Sequence, residues 1–189
     1  MPLDDEQHLL VLARQDPQAF RRIYQHYVPR LYAYVRYRVE RKQDAEDLVA
    51  ETFLRVVDGL DRFEWRHEGS FAAWLFRIAH NAISNFHRDH AHLDYTRAPE
   101  ELPEPVATGP LPDDIVLRKE LFADLHRLIA TLPPRRREVI TLKFFGGLQN
   151  REIAAVLGLD ERTVAAHLCR ALEDLHARYT RVEDKVSNP

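Results

Sequence analysis

The stretch "RAPEELPEPVATGPLPDD", from Arg97 to Asp114, carries five prolines and one glycine, and its apolar residues follow no helical period. Proline lacks the backbone donor that helix and sheet interiors require, so such a segment cannot contribute a packed core. It reads as an extended linker and obliges the chain to fold on either side of it. The expected organisation is a first unit over residues 1–90, a linker over 91–116 and a second unit over 117–189. Outside the linker, apolar residues recur at intervals of three and four, with no run alternating β-branched and polar residues. The fold class predicted is all-α: two small helical domains joined by a flexible, proline-rich, acidic linker.

Charge supports the division. The formal net charge of -3 does not by itself suggest a nucleic-acid binder. Residues 1–90 hold 13 Lys+Arg against 14 Asp+Glu, residues 91–116 hold 1 against 6, and residues 117–189 hold 13 against 10. The acidity is concentrated in the linker, and the second unit is net basic. A single cysteine, Cys169, excludes an internal disulfide framework and suits a reducing cytosol. No run approaches the length of a membrane span, and the N-terminus lacks a signal peptide's apolar stretch, so the expectation is a soluble cytoplasmic protein without membrane insertion.

In the first unit a helix is expected around Glu6 to Arg14, and Asp16 with Pro17 forms a cap and first turn for the next. Phe20, Ile23, Tyr24, Tyr27 and Leu31 then supply a core face, and the tyrosines from Tyr24 to Tyr37 are expected to pack with their hydroxyls at its rim. In "DAEDLVAETFLRVVDGL", Asp44 is a candidate cap. Ala45, Leu48, Val49, Thr52, Phe53 and Val56 form the apolar side, and Asp44, Asp47, Glu51 and Asp58 form an acidic stripe opposite. That stripe suits a solvated face or a docking face for a basic partner better than a metal or acid–base site. Further on, Gly69 and Ser70 mark a turn and cap. Phe71, Trp74, Leu75, Ile78, Ala79, Ala82 and Ile83 are the buried stripe of the following helix, with Arg77, His80, Asn81, Ser84, Asn85 and Arg88 on its other face. Hydrogen-bonding groups beside aromatic rings are what binding of unstacked bases requires, although composition alone favours an ordinary polar surface.

In the second unit, Leu121, Leu125, Leu128 and Ile129 mark one helix, stopped at Pro133 and Pro134. Val139, Ile140, Leu142 and Phe144 mark the next, ended by Gly146 and Gly147. Leu148 and Ile153 are placed as a hydrophobic staple, with Gln149 and Glu152 in a capping-box frame. Gly158 then supplies a turn, Asp160 a cap, and Val164, Leu168, Ala171, Leu172 and Leu175 a buried face: a helix-turn-helix. Arg162, Thr163, Ala166, His167 and Arg170 lie where a recognition helix meets base edges. Few of them are basic, so phosphate contacts would fall to Arg135, Arg136, Arg137, Lys143 and Arg151, and a tethered partner is expected to add affinity.

The ordered set "DAEDLVAETF", "FAAWLFRIAHN", the proline-rich linker, "LPPRRREVITLKFFGGL" and "REIAAVLGLDERTVAAHLCRAL" resembles the extracytoplasmic-function (ECF) group of bacterial RNA polymerase sigma factors, over nearly the whole chain. The resemblance implies core RNA polymerase as partner, through its β′ clamp and β flap, together with promoter DNA. Asp44, Asp47, Leu48 and Glu51 would meet the clamp. Phe63, Arg77, His80, Asn81, Asn85 and Arg88 would serve the minus-ten element, with Phe63 and Asn81 capturing a flipped base and Trp74 holding their helix. Arg151, Arg162, Thr163, Ala166, His167 and Arg170 would serve the minus-thirty-five element. The linker would thread toward the RNA exit channel. An anti-sigma factor is a partner of many members. No catalytic residue, cofactor or metal is implied.

The family commonly places basic residues where this chain has His80, Asp89, Ala165 and His167, so the resemblance carries over no promoter sequence. If His80, His87 and His167 face DNA, binding is expected to strengthen as pH falls through about 6.5. Rival readings are weaker. "HRDH" at His87–His90 lacks every other kinase element; His87, His90 and His92 lack a second zinc-ligand pair; and Cys169 suits a passive small residue better than a redox switch. A polymerase-independent helix-turn-helix regulator would leave the first unit unexplained and offers no heptad seam for a dimer.

Overall fold

The computed structural model describes residues 5–90 and 124–187, with side chains as far as Thr180. The expected linker, the start of the second unit with Leu121, and the last residues of the tail lie outside the described residues. All the regular structure among the described residues is helical, in keeping with the predicted class.

The first unit consists of α1 (Glu6–Leu12), α2 (Pro17–Arg38), α3 (Lys42–Gly59), a single 3-10 turn (Leu60–Arg62) and α4 (Ser70–Asp89). Asp16 caps α2 as expected: its backbone is extended and its carboxylate accepts the Gln18 N–H at 2.8 Å, with Pro17 in the first turn. At the other end Arg36 turns inward, 2% exposed, and donates to the Val39 and Glu40 carbonyls at 3.0 Å, which satisfies acceptors that the end of a helix leaves open. α3 begins two residues before Asp44, so Asp44 is not the cap; it sits inside the first turn, where a carboxylate still meets the positive end of the helix dipole. α4 is capped by the backbone of Gly69 at φ 81°, not by Ser70, whose N–H bonds to the His67 carbonyl.

The second unit contains α5 (124–130), α6 (Pro134–Phe144), α7 (Asn150–Leu157) and α8 (Glu161–Ser187). Pro133 and Pro134 both stop α5 and start α6, where proline's fixed φ suits the first turn. Leu148 and Ile153 are buried, and the Gln149 N–H donates to the Glu152 carboxylate at 2.6 Å. Gly158 takes the left-handed conformation, φ 65° and ψ 37°, that turns the chain from α7 into α8.

Some expected core positions differ. Tyr24 is 40% exposed and covers the edge of Phe53, whereas Tyr34 is fully buried and Tyr37 7% exposed, so the rim that was expected to hold their hydroxyls is closed over. What closes it is the second unit. Val139, Leu142, Leu148, Ile153, Ala154, Val156 and Val164 join the side chains of α1 to α4 in one continuous hydrophobic core, with α7 lying along α4. Phe144 is 62% exposed because Phe145, next in the chain, takes the inward seat and stacks on Tyr37 with ring centroids 4.9 Å apart. Leu125 and Leu172, at 41% and 44% exposure, lie at the edges of their stripes.

Candidate nucleic-acid interface

Three surfaces carry the residues singled out above. On α3, Asp47 is exposed, while Asp44 and Glu51 are partly covered. Glu51 accepts from Arg55 at 2.6 Å, one turn on, which offsets part of the charge it presents. Leu48 is 5% exposed and points into the core, so it supports the stripe from behind and cannot meet a partner directly. Leu54 and Val57, at 66% and 52% exposure, were overlooked in the sequence. Helical spacing places Leu54 on the line running from Asp47 through Glu51 to Asp58. An exposed aliphatic residue thus stands among the carboxylates of this face.

The second surface surrounds α4. Phe63, in extended backbone after the 3-10 turn, lies against Trp74 at 4.9 Å and edge-on to Phe71 at 5.5 Å, and its carbonyl accepts from Arg14 at 2.9 Å. Trp74 approaches the end of α3 so closely that a Cβ on Gly59 would lie 2.8 Å from its ring. The indole is therefore wedged between α3 and Phe63, which suits a residue that positions Phe63. Arg77, Asn81, Ser84 and Arg88 are exposed along the helix, with Asn85 partly covered. The Ser84 hydroxyl bonds back to the His80 carbonyl at 2.8 Å.

His80 departs from expectation. Its Nδ1 lies 3.2 Å from the Tyr34 hydroxyl, and Glu138 and Arg135 of α6 are among the charges acting on it, so it faces the seam between the units. Burial foremost holds its imidazole below the ordinary histidine range, and burial does the same to His87. Charging of these two rings therefore belongs below the pH of 6.5 at which it was expected.

The third surface is the start of α8. Asp160 caps the helix, accepting the Thr163 N–H at 2.8 Å and the Thr163 hydroxyl at 2.6 Å; these bonds hold its carboxyl below the usual range. The Thr163 hydroxyl is thus committed to the cap, and its methyl is the group left for a base. Arg162, Ala166 and Arg170 are exposed at four-residue intervals on one face, and Arg151 is exposed on α7. His167 is half-covered, with Nδ1 buried and without a hydrogen-bond partner among the described residues. The Cys169 thiol points at the Glu173 carboxylate at 3.3 Å, which pushes its pKa up, the opposite of a reactive thiolate.

The expected supply of phosphate-binding charge is reduced. Arg135 pairs with Glu138 at 3.0 Å, Arg136 with Asp174, and Arg137 donates to the Ala130 and Leu132 carbonyls at 2.6 and 3.1 Å. Arg136 and Arg137 tie α6 to α8 and to the end of α5, and the Arg135 pair lies within α6; Arg151 and the half-covered Lys143 are the basic residues of that set without such ties. No cluster of three His, Cys, Asp or Glu side chains is placed to hold a metal among the described residues, and His92 lies outside them. Among the described residues no helix is long and apolar enough to cross a membrane.

Known proteins arrange the same elements in the same order. Residues 23–92 match the family description sigma-70 region 2, and residues 122–175 match sigma-70 region 4. The chain is 34% identical over 161 residues to the ECF RNA polymerase sigma factor BldN of Streptomyces coelicolor, covering 85% of this chain and 60% of BldN. It is 34% identical over 140 residues to SigE of Mycolicibacterium smegmatis, covering 74% of this chain and 53% of SigE; it therefore spans less than two thirds of either relative. With SigW of Bacillus subtilis it shares 31% identity over 85% of this chain and 88% of SigW. Among solved structures, CnrH in complex with the cytosolic domain of CnrY is similar at a TM-score of 0.70 and 26% identity, covering 93% of this chain and 97% of CnrH. With both regions present in order and a relative matched over nearly its full length, the chain belongs to the ECF group of RNA polymerase sigma factors.

Proposed function

We propose that the chain binds core RNA polymerase through the exposed face of α3, Asp47, Glu51 and Leu54, and directs transcription initiation. In this reading it is an initiation factor that supplies no catalytic residue. Phe63 and Asn81, seated by Trp74, hold an unpaired base of the minus-ten element, while Arg162, Ala166 and Arg170 read the minus-thirty-five element. One observation carries the reading: the acidic residues and the hydrogen-bonding residues occupy different helices of one packed unit, α3 and α4, so both can be engaged together. The polymerase-independent regulator leaves that arrangement without a use. A partner of the anti-sigma class is also proposed, since CnrH is solved with the cytosolic domain of CnrY and RpoE of Bartonella quintana with the anti-sigma factor NepR.

Capture of core polymerase by the purified full chain tests the first part. The charge reversals Asp47→Lys and Glu51→Lys together are expected to abolish capture, because like charges set opposite a basic partner repel where opposite charges attracted. Capture at the wild-type level by a folded double variant would overturn the assignment of α3. Run-off transcription from a genomic fragment library, with polymerase and the wild-type chain, then identifies the promoters.

A further inference from the structure

The match to sigma-70 region 2 begins at residue 23, so α1 and the turn that follows it lie outside the family description. That turn is nonetheless fixed to the surface around α4. Leu9 and Leu10 are each 4% exposed, and the Tyr27 hydroxyl donates to the Glu6 carboxylate, so α1 is anchored at both ends. The Tyr27 ring packs edge-on to Phe71, the ring that also backs Phe63. After α1 the chain reverses tightly: the Gln15 and Asp16 N–H groups both donate to the Leu12 carbonyl, at 3.0 and 2.9 Å, before Asp16 caps α2. A hydrogen-bonded turn on an anchored helix is a precise support for a side chain.

Arg14 lies in this turn. It is exposed, and its Nη2 donates to the Phe63 carbonyl at 2.9 Å, across 49 residues of sequence. The Phe63 N–H is already on the Leu60 carbonyl at 3.2 Å, so Arg14 takes up the other backbone group of that residue. A guanidinium has several N–H donors and a permanent charge; one bond to a carbonyl uses one donor and neutralises nothing. Among the described residues no carboxylate pairs with Arg14, and that of Asp16 is turned to its own cap. Arg62, next to Phe63 in the chain, leans instead onto the Asp58 carbonyl at 3.3 Å.

Resting on the function proposed above, Phe63 and Asn81 hold an unpaired base. Every base of a strand brings a phosphate with it, and the planar fork of an arginine suits two phosphate oxygens. We propose that Arg14 is a further residue of the DNA surface: tethered to the Phe63 carbonyl, it takes the phosphate beside the unpaired base. The loop after α3 and the turn after α1 then grip one nucleotide together, the first by its base and the second by its phosphate. Because the tether orders the side chain before DNA arrives, less rotamer freedom is lost on binding.

The test uses holoenzyme assembled from core polymerase and the full chain. The probe is a labelled DNA, duplex upstream and single-stranded through the minus-ten element, taken from a promoter found by the run-off assay. Affinity is measured across a potassium chloride series. Arg14→Gln keeps an amide donor for the Phe63 carbonyl and loses the charge. It is expected to bind about tenfold more weakly at low salt, with the slope of log affinity against log salt reduced by about 0.7, the value for one phosphate of a single strand. Arg14→Lys keeps the charge and should restore the wild-type slope. Replacing single phosphates of the probe, one at a time, by uncharged methylphosphonate locates the contact: at one position beside the held base, wild type and Arg14→Gln should bind alike. A wild-type slope for Arg14→Gln with native helical circular dichroism, or a difference from wild type that persists at every methylphosphonate position, overturns the proposal. Phe63→Ala separates this from the function beneath it. If Phe63→Ala weakens binding and Arg14→Gln does not, base holding stands and only the Arg14 contact falls; if Phe63→Ala binds like wild type, the minus-ten assignment falls and Arg14 with it.

Discussion

Phe71 is the ring that backs Phe63 and Trp74, and its removal should be costly. The side chain is fully buried, and Tyr27, Phe63 and Trp74 surround it with ring centroids at 5.4, 5.5 and 5.8 Å. Truncating a buried phenylalanine to alanine costs about 3–5 kcal/mol, the value depending on how far the site collapses. Collapse is restricted here, since Trp74 is wedged against Gly59 and Tyr27 is tied by its hydroxyl to Glu6. At least the middle of the range applies, about 4 kcal/mol, and for a chain of this size that lowers the melting temperature by roughly 8–16 °C. Phe71→Leu keeps most of the volume and should cost only about 1 kcal/mol. Thermal unfolding followed by far-ultraviolet circular dichroism and tryptophan fluorescence measures both. A loss below about 1.5 kcal/mol for Phe71→Ala would refute the view that these rings form a packed support. Phe71→Leu further separates support from docking: it should bind polymerase normally while opening promoters poorly, because Phe63 and Trp74 lose their common backing.

Gly158→Ala should destabilise by about 1 kcal/mol through its left-handed backbone alone, since nothing lies within 4 Å of an added Cβ. Gly158→Asn should cost less, and urea midpoints that rank the two the other way would count against this account. Stability should fall as pH drops below about 7. Burial holds His26, His80, His87 and His126 below their ordinary range, so the unfolded chain takes up protons near 6.5 before the folded one does. His126→Gln should flatten that slope in a urea series across pH. At more acidic pH, Glu6 and Glu152 act in the opposite sense, because burial raises their folded pKa values above 4.5 and the folded state takes the proton first. Arg162→Ala should weaken binding to a minus-thirty-five duplex by about 1–3 kcal/mol and relax base preference if Arg162 reads a base. A uniform loss across sequences, with the salt slope reduced by about 0.9, would instead place it on a phosphate.

Features set by neighbours in the chain were legible from the residues. Asp16 with Pro17, Gly158 with Asp160, and the apolar stripe of α4 each depend on groups within a turn or two, and each is where spacing placed it. Leu54 on α3 is equally local, and its place on the line of carboxylates follows from helical spacing alone. What spacing could not disclose are the meetings across long stretches of chain. Arg30 reaches a turn 117 residues away, and Tyr37 accepts from His126 at a separation of 89. Amphipathic patterning shows that Tyr34 and Tyr37 have an inward side, but not that a second helical unit covers their hydroxyls. His80 and Arg137 illustrate the same limit: a polar residue on a helix's outer face looks solvated until another element is laid over it.

A common interior ought to leave its mark on how the molecule comes apart. Because side chains from α7 and α8 are embedded among those of α1 to α4, heat should melt the whole in one cooperative event, and a calorimeter should record a single endotherm. A protein cut once between residues 90 and 124 should likewise elute as an intact pair of fragments, held together without any peptide bond.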